Sequence, residues 1–164
     1  MAKINYITGD LLASNEKLIA HGCNVHGVMG AGIALAIRNK WPEVYKQYNL
    51  LYKEIKAQGY EFPLGFVQFV KLDNGLIVAN AMTQYLSPGE DCQYFPLVNK
   101  TKPVSYDAIQ CCAEALSNYC KDNNIESFGI PKIGAGLGGG KWEIIEAIFS
   151  TTVDNSVDVN VYVL

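Results

Sequence analysis

The spacing of apolar residues along the chain predicts six strands and four helices. Short apolar runs, alternating or continuous, are typical of strands and occur at residues 4–8, 17–23, 65–71, 76–82, 127–130 and 157–164. Apolar residues spaced three and four apart predict helices beginning at Gly32 and spanning residues 42–58, 105–120 and 142–149. Pro42 suits the first turn of a helix, Gly59 suits its end, and Ser105 suits an N-cap.

The order of these elements predicts the fold class. Strands and helices alternate through much of the chain, and Asp73-Asn74-Gly75 predicts one tight hairpin between strands. We therefore expect an α/β protein, a three-layer α/β/α sandwich around a mixed, largely parallel sheet, with residues 1–164 forming one domain. Residues 83–102 form a long irregular stretch, which in a compact domain is typical of a functional or mobile segment.

Two glycine-rich segments, each predicted to lie between a strand and a helix, are the main functional signal. The first is residues 21–34 (HGCNVHGVMGAGIA), and the second is residues 130–142 (IPKIGAGLGGGKW). Glycine lets backbone N–H groups approach a ligand closely, and a helix N-terminus favours negative charge. Because the carboxyl ends of parallel strands meet at one sheet edge, the two loops predict a pocket that holds a diphosphate from both sides.

The second segment also fits the G-x-G-x-x-G pattern of dinucleotide-binding enzymes, at Gly134, Gly136 and Gly139. That pattern normally opens a fold and is followed by an acidic residue after the next strand, whereas here about one strand remains before the chain ends. A Rossmann enzyme is therefore not expected. Ligand contact is favoured over a turn that only lets helix and strand pack, because the loop holds more glycines than such a turn needs.

Composition and charge narrow the class of protein. The chain has 164 residues, 49% of them hydrophobic, and a net charge of −3, so we expect a sizeable core and no bulk attraction to nucleic acid. Five cysteines without a C-x-x-C pair, no signal peptide and no membrane-length apolar run favour a reduced, cytoplasmic protein. No metal or cofactor is expected, because no ligand set is complete. The oligomeric state is left open.

Polar residues beside the loops are candidates for chemistry, and each has a structural alternative. Asn24 suits a ribose hydroxyl or bonds to its own loop, and Asp10 suits an exocyclic amine or caps a turn. His21 is a candidate general acid or base, or a hydrogen-bonded histidine of the core. The aromatic residues of the second helix stand at helical spacing and are expected to pack in the core or at an interface: Trp41, Tyr45, Tyr48 and Tyr52.

Taken in order along the chain, three motifs resemble the macrodomain family. They are residues 7–11 (ITGDL), 21–34 and 130–139 (IPKIGAGLGG), and residues 161–164 (VYVL) end the match. The chain is most similar to the branch that holds yeast-type ADP-ribose-1''-phosphate phosphatase, terminal ADP-ribose protein glycohydrolase and antitoxins that remove ADP-ribose from DNA. The resemblance implies ADP-ribose, or a derivative of it, as the ligand.

The resemblance also implies the residues of the pocket. Asp10 would bind the adenine amine, with Gly9 and the Leu11 amide beside it. Asn24 would hold the distal ribose, and Tyr162 would pack on the adenine. The other implied binding residues follow the distal ribose and the diphosphate: Met29, Gly30, Ala31, Gly32, Ile33, Gln84, Ile133, Gly134, Ala135, Gly136, Leu137, Gly138 and Gly139.

Positions at which this sequence differs from the glycohydrolases and phosphatases of that branch indicate which of their activities to expect. Gln84 stands where the glycohydrolases carry a lysine, and Gly138 or Gly139 where they carry an acid, so a lysine-dependent route is not expected. His21 stands where the phosphatases carry a histidine, and Lys141 would add a cation near a terminal phosphate. Our first hypothesis is a phosphatase acting on ADP-ribose 1''-phosphate, with His21 as general acid or base. The alternatives are a module that binds ADP-ribose without turnover, and an ADP-ribosyl hydrolase acting on protein or nucleic acid.

Overall fold

The computed structural model describes residues 1–85, 104–136 and 138–164. These residues form the strands β1 (Ile4–Thr8), β2 (Leu18–Asn24), β3 (Val67–Lys71), β4 (Ile77–Gln84), β5 (Ser127–Ile130) and β6 (Asp158–Val163). The helices are α1 (Gly32–Lys40), α2 (Pro42–Ala57), α3 (Tyr106–Asp122) and α4 (Trp142–Thr152), and a short 3-10 turn covers Leu11–Ala13. Of the segment predicted to be irregular, residues 86–102 lie outside the described residues.

The six strands form one sheet in the order β1-β6-β5-β2-β4-β3. All neighbouring strands are parallel except β3 and β4, which form the antiparallel hairpin predicted by Asp73-Asn74-Gly75. Within that turn, the Asn74 side chain accepts a hydrogen bond from the Leu76 backbone N–H at 3.0 Å. The expected mixed, largely parallel sheet is therefore confirmed, and the antiparallel strand lies at its edge.

Each face of the sheet is covered by a separate apolar cluster. On one face, alternate residues of β2 and β4 such as Leu18 and Ala79 pack with α3 and α4. On the other face, the intervening residues such as Ile19 and Val78 pack with α1 and α2. The expected α/β/α sandwich is thus confirmed, since burial on both faces explains why β2 and β4 read as nearly continuous apolar runs. No helix within the described ranges is both long and apolar enough to cross a membrane.

Several element boundaries differ by a few residues from the predicted ones. β4 continues to Gln84, two residues beyond the predicted strand, because Thr83 is buried and its carbonyl accepts from the Ser105 N–H at 2.9 Å. α4 extends to Thr152 rather than ending at Phe149, and β3 begins at Val67 rather than at Gly65. Gly65 has a left-handed φ of +90°, a conformation that takes it out of the strand.

Candidate functional site

A cavity of about 270 Å³ lies at the carboxyl ends of β2, β4 and β5. Ligands of open α/β sheets bind at this edge. Both glycine-rich loops contribute to its wall, together with the end of β4. The lining residues are Gly22, Cys23, Asn24, Val28, Ala31, Gly32, Ile33, Ala34, Gln84, Pro131, Lys132, Ile133, Gly134, Gly136 and Gly138.

The first loop delivers the N-terminus of α1 to the cavity. The helix begins at Gly32, whose φ of +58° favours glycine, and Ala31 at the N-cap provides no side-chain hydrogen bond. The first-turn residues Ile33 and Ala34 also line the cavity. Because the first N–H groups of a helix have no partner within the helix and carry its positive dipole end, this wall favours an anion.

The second loop folds back on itself through backbone hydrogen bonds. Ala135 donates to the Lys132 carbonyl at 3.2 Å, Gly139 donates to Gly136 at 3.1 Å, and Gly140 donates to Gly134 at 2.7 Å. These three N–H groups are committed to the loop itself. Among the described residues of this loop, the amides left for a diphosphate therefore include those of Gly134, Gly136 and Gly138, all three of which line the cavity.

Asn24 lies at the end of β2 with its side chain hydrogen-bonded inside its own loop. Its Nδ2 donates to the Val28 carbonyl at 2.6 Å, its Oδ1 accepts from the His26 N–H at 2.9 Å, and the Tyr48 hydroxyl oxygen lies 2.9 Å from that Oδ1. Asn24 therefore stabilises its own loop, which is one of the two roles that the sequence predicts for it. Asn24 still lines the cavity, so its contact with a ribose stays a prediction.

His21 is fully buried and is not among the residues that line the cavity. Because side chains alternate along a strand, its ring faces the α1 and α2 side together with Ile19 and Cys23. Its Nε2 lies 2.6 Å from the Asn80 Oδ1, and the Cys23 Sγ lies 3.4 Å from the same nitrogen. The ring therefore occupies the position of a hydrogen-bonded core histidine.

The bonds of Asn80 assign the tautomer of His21. The Gln68 Nε2 donates to the Gln47 carbonyl at 3.1 Å, and the Asn80 Nδ2 donates to the Gln68 Oε1 at 3.0 Å. This leaves the Asn80 Oδ1 to accept from a protonated His21 Nε2. Burial lowers the pKa of His21 from 6.5 to about 4, and the bond to Asn80 opposes this shift. The ring is thus neutral at pH 7.

Lys132 is the charged residue among those that line the cavity, as far as the described residues show. It is exposed, and it follows Pro131 at the end of β5. Lys141, which the sequence suggested as a phosphate-binding cation, does not line the cavity, and its backbone N–H donates to the Tyr106 hydroxyl at 3.0 Å. Of these two lysines, only Lys132 therefore lines the cavity.

Several predicted binding residues are not among those that line the cavity. The Asp10 carboxylate caps the 3-10 turn by accepting from the Leu12 N–H at 2.9 Å, as the structural alternative required, and Leu11 and Met29 are buried in the core. The Tyr162 hydroxyl donates to Glu16 at 3.2 Å. The other predicted binding residues that do not line the cavity are Gly9, Gly30, Ala135 and Gly139. Leu137, also predicted to bind, lies outside the described residues.

The residues that the sequence reasoning missed fall into two kinds. Gly22, Cys23, Val28, Ala34, Pro131 and Lys132 line the cavity without having been assigned to it, although they lie within the two loop motifs. Their positions in those motifs were the available signal. For Tyr48 the helical spacing predicts packing, whereas the structure shows that its hydroxyl also bonds to the first loop. A helical stripe predicts that such a ring is buried but carries no information about the hydroxyl's partner.

Among the described residues, no three His, Cys, Asp or Glu side chains come together to hold a metal ion.

Known proteins resemble this chain along nearly its whole length. It is 30% identical over 170 residues to an ADP-ribose 1''-phosphate phosphatase of Candida albicans, with 98% of this chain and 99% of that protein covered. It is 28% identical over 168 residues to the human ADP-ribose glycohydrolase OARD1, with 99% and 93% covered.

Solved structures and a family profile agree with these relatives. A protein of unknown function from Bacteroides thetaiotaomicron has a TM-score of 0.80 at 34% identity, with 99% of both chains covered. A macrodomain protein from Streptomyces coelicolor has a TM-score of 0.76 at 30% identity, also with 99% of both chains covered. The profile described as Macro domain matches residues 20–149, and the chain therefore belongs to the macrodomain family.

Proposed function

We propose that this macrodomain binds ADP-ribose in the cavity and hydrolyses the terminal phosphate of ADP-ribose 1''-phosphate. The observation that carries the binding part is the wall of the cavity, where the N-terminus of α1 faces the glycines of the second loop. Backbone N–H groups and a helix dipole suit the oxygens of a diphosphate. The Candida albicans relative, a phosphatase by name, supports the reaction.

The size of the cavity bears on how the ligand would lie. Pockets for drug-sized ligands range from about 300 to 1,000 Å³, and this one measures about 270 Å³. It therefore suits the diphosphate and distal ribose, while the adenosine part would extend beyond it over the protein surface. Asp10, exposed after β1, remains the proposed partner of the adenine amine.

Phosphate release requires one water molecule and one leaving oxygen. Water attacks the phosphorus, the bond from phosphorus to the O1'' oxygen breaks, and that oxygen takes up the proton that the attacking water loses, so that ADP-ribose and inorganic phosphate result. Lys132 would offset the charge on the phosphate oxygens. We assign no proton transfer to His21, because its ring is fully buried and does not line the cavity, and because its pKa, lowered to about 4, makes it a weak base.

Phosphate release from ADP-ribose 1''-phosphate tests this proposal. We expect the wild type to turn the substrate over and Lys132→Gln to lower kcat/KM by about ten- to a hundredfold, because one charge-assisted contact to a phosphate contributes roughly 1.5–3 kcal/mol. Lys141→Gln is the matched control and should behave as the wild type, since Lys141 does not line the cavity. A wild type that binds ADP-ribose but releases no phosphate rules out the phosphatase.

A second candidate function is binding of ADP-ribose without turnover. The observation that favours it is the chemistry of the wall, because no carboxylate and no histidine line the cavity among the described residues. Gln84 cannot serve as an amine nucleophile or as a general base. Tight ADP-ribose binding, with no release of phosphate from ADP-ribose 1''-phosphate and no release of ADP-ribose from modified protein or DNA, would select this function.

A further inference from the structure

The ring of Tyr48 is fully buried in α2, and its hydroxyl bonds to the first glycine-rich loop. The hydroxyl oxygen lies 2.7 Å from the Asn24 carbonyl oxygen, to which it donates, and it accepts from the Gly27 N–H at 3.1 Å. The Asn24 Oδ1 lies 2.9 Å from the same hydroxyl. One buried hydroxyl thus connects the end of β2 to the middle of the loop.

Two further residues of α2 support the same stretch of loop. The Tyr52 ring occupies the space where a Cβ on Gly27 would lie, and Gly27 has a left-handed φ of +77°. The Asn49 Nδ2 donates to the Gly27 carbonyl at 3.4 Å. Residues 48 and 49 both lie on the same side of the helix as residue 52, because they precede it by four and three positions. Helix α2 therefore forms the backing of the turn between Asn24 and Val28.

We propose that Tyr48 is a positioning residue for the ligand. Through the hydroxyl of Tyr48, helix α2 sets the shape of the cavity wall. This inference rests on the proposed function, because it presupposes that the cavity binds ADP-ribose. Asn24 and Val28 line the cavity, whereas Tyr48 does not. Tyr48 therefore acts through the loop, and its loss displaces the part of the wall formed by Asn24 and Val28.

The position of Tyr48 predicts which part of the ligand loses contacts when its hydroxyl is removed. The hydrogen bonds of the Tyr48 hydroxyl described above all go to residues 24 and 27 of the first loop. In the proposed pose the distal ribose lies against Asn24. Removing the hydroxyl therefore weakens the contacts of the distal ribose and leaves those of the adenosine diphosphate part nearly intact. A general loss of stability would weaken both parts alike.

Comparison of ADP-ribose with ADP tests the proposal, because the two ligands differ by the distal ribose. For Tyr48→Phe, titration calorimetry at a temperature where the variant is folded should show an ADP-ribose Kd raised by about tenfold, and an ADP Kd within about twofold of the wild type. Tyr45→Phe is the matched control. Tyr45 lies on the same helix, with its ring centroid 6.4 Å from that of Tyr48. The Tyr45→Phe substitution should leave both dissociation constants unchanged.

The outcomes separate this inference from the proposed function. If the wild type does not bind ADP-ribose, the proposed function fails and this inference fails with it. If the wild type binds and Tyr48→Phe changes the two dissociation constants equally or not at all, only the role of Tyr48 is overturned. Should Tyr48→Phe not fold, hydrogen exchange of the wild-type Gly27 amide decides the point. Slow exchange supports the bond to Tyr48, and exchange at the rate of an open loop contradicts it.

Discussion

At the scale of single residues, His21 shows how burial decides the chemistry of a side chain. The ring lies in the core between the sheet and α2, and a chain of hydrogen bonds runs from it through Asn80 and Gln68 to the Gln47 carbonyl. Protonation would place a charge in that core, and burial is the main cause of the lowered pKa. The histidine therefore stabilises the fold in its neutral form, as a hydrogen-bond donor.

This lowered pKa predicts how stability depends on pH. The unfolded chain binds a proton at His21 near pH 6.5 and the folded protein only near pH 4, so the free energy of unfolding falls as the pH drops through this window. The difference in pKa corresponds to about 3 kcal/mol lost between pH 7 and pH 4. Urea unfolding at several pH values measures it.

The matched variants for this prediction are His21→Gln and His26→Gln. His21→Gln should lose most of the slope between pH 6.5 and pH 4, whatever its stability at pH 7. Burial also lowers the pKa of His26, which is only partly buried, so His26→Gln should keep most of the slope. An unchanged slope in His21→Gln would show that the ring is not held neutral in the folded protein.

At the scale of elements, the second loop shows how glycines serve two different purposes. Gly134 has a φ of +77°, and a Cβ there would lie 2.8 Å from the Val104 Cγ2. Gly136 has no such φ, and a Cβ there would meet no atom within 4 Å among the described residues other than its chain neighbours, although Gly136 lines the cavity. The first glycine is therefore required by the fold, and the second leaves space for a ligand.

Alanine at these two positions should separate stability from binding. Gly134→Ala should lower the free energy of unfolding by about 1–3 kcal/mol, because it combines a left-handed backbone with a steric clash. Gly136→Ala should change stability by less than about 0.5 kcal/mol but weaken ADP-ribose, since its methyl group projects into open space at the cavity wall. Urea unfolding and calorimetry measure the two effects. Equal stability of Gly134→Ala and wild type, or equal affinity of Gly136→Ala and wild type, would contradict this assignment.

Local signals were sufficient to predict most elements, and not sufficient to predict the role of each residue. Pro42 begins α2, and the Ser105 hydroxyl accepts from the Ala108 N–H at 3.2 Å, because such caps act within one turn of chain. Whether His21 faces the core or the cavity depends instead on strand alternation and on Asn80, 59 residues away. Met29 likewise lies inside a loop motif but is fully buried in the core.

At the scale of the whole molecule, the cavity exists because parallel strands end at the same edge of the sheet. Residues 22–34, 84 and 131–138 are far apart in the chain and meet there. This meeting was predictable, because right-handed crossover connections bring successive strands back in the same direction. The side chains that complete the wall, such as Lys132, were not predictable, since the loop's path decides which of them face the ligand.

Binding across two loops should also stabilise the whole fold. A ligand that binds only the folded state adds about 2.7 kcal/mol at a hundred times its Kd. For a chain of this length we expect a rise in Tm of about 5–10 °C with saturating ADP-ribose. Adenosine, which lacks the diphosphate and the distal ribose, is the control and should raise the Tm much less.

Calorimetric titration of the wild type with ADP-ribose is the most direct test of the central claim that the two glycine-rich loops bind a diphosphate between them. We predict saturable binding of one ADP-ribose per chain, accompanied by the rise in Tm. Absence of both heat and a shift in Tm at millimolar ADP-ribose would contradict the claim.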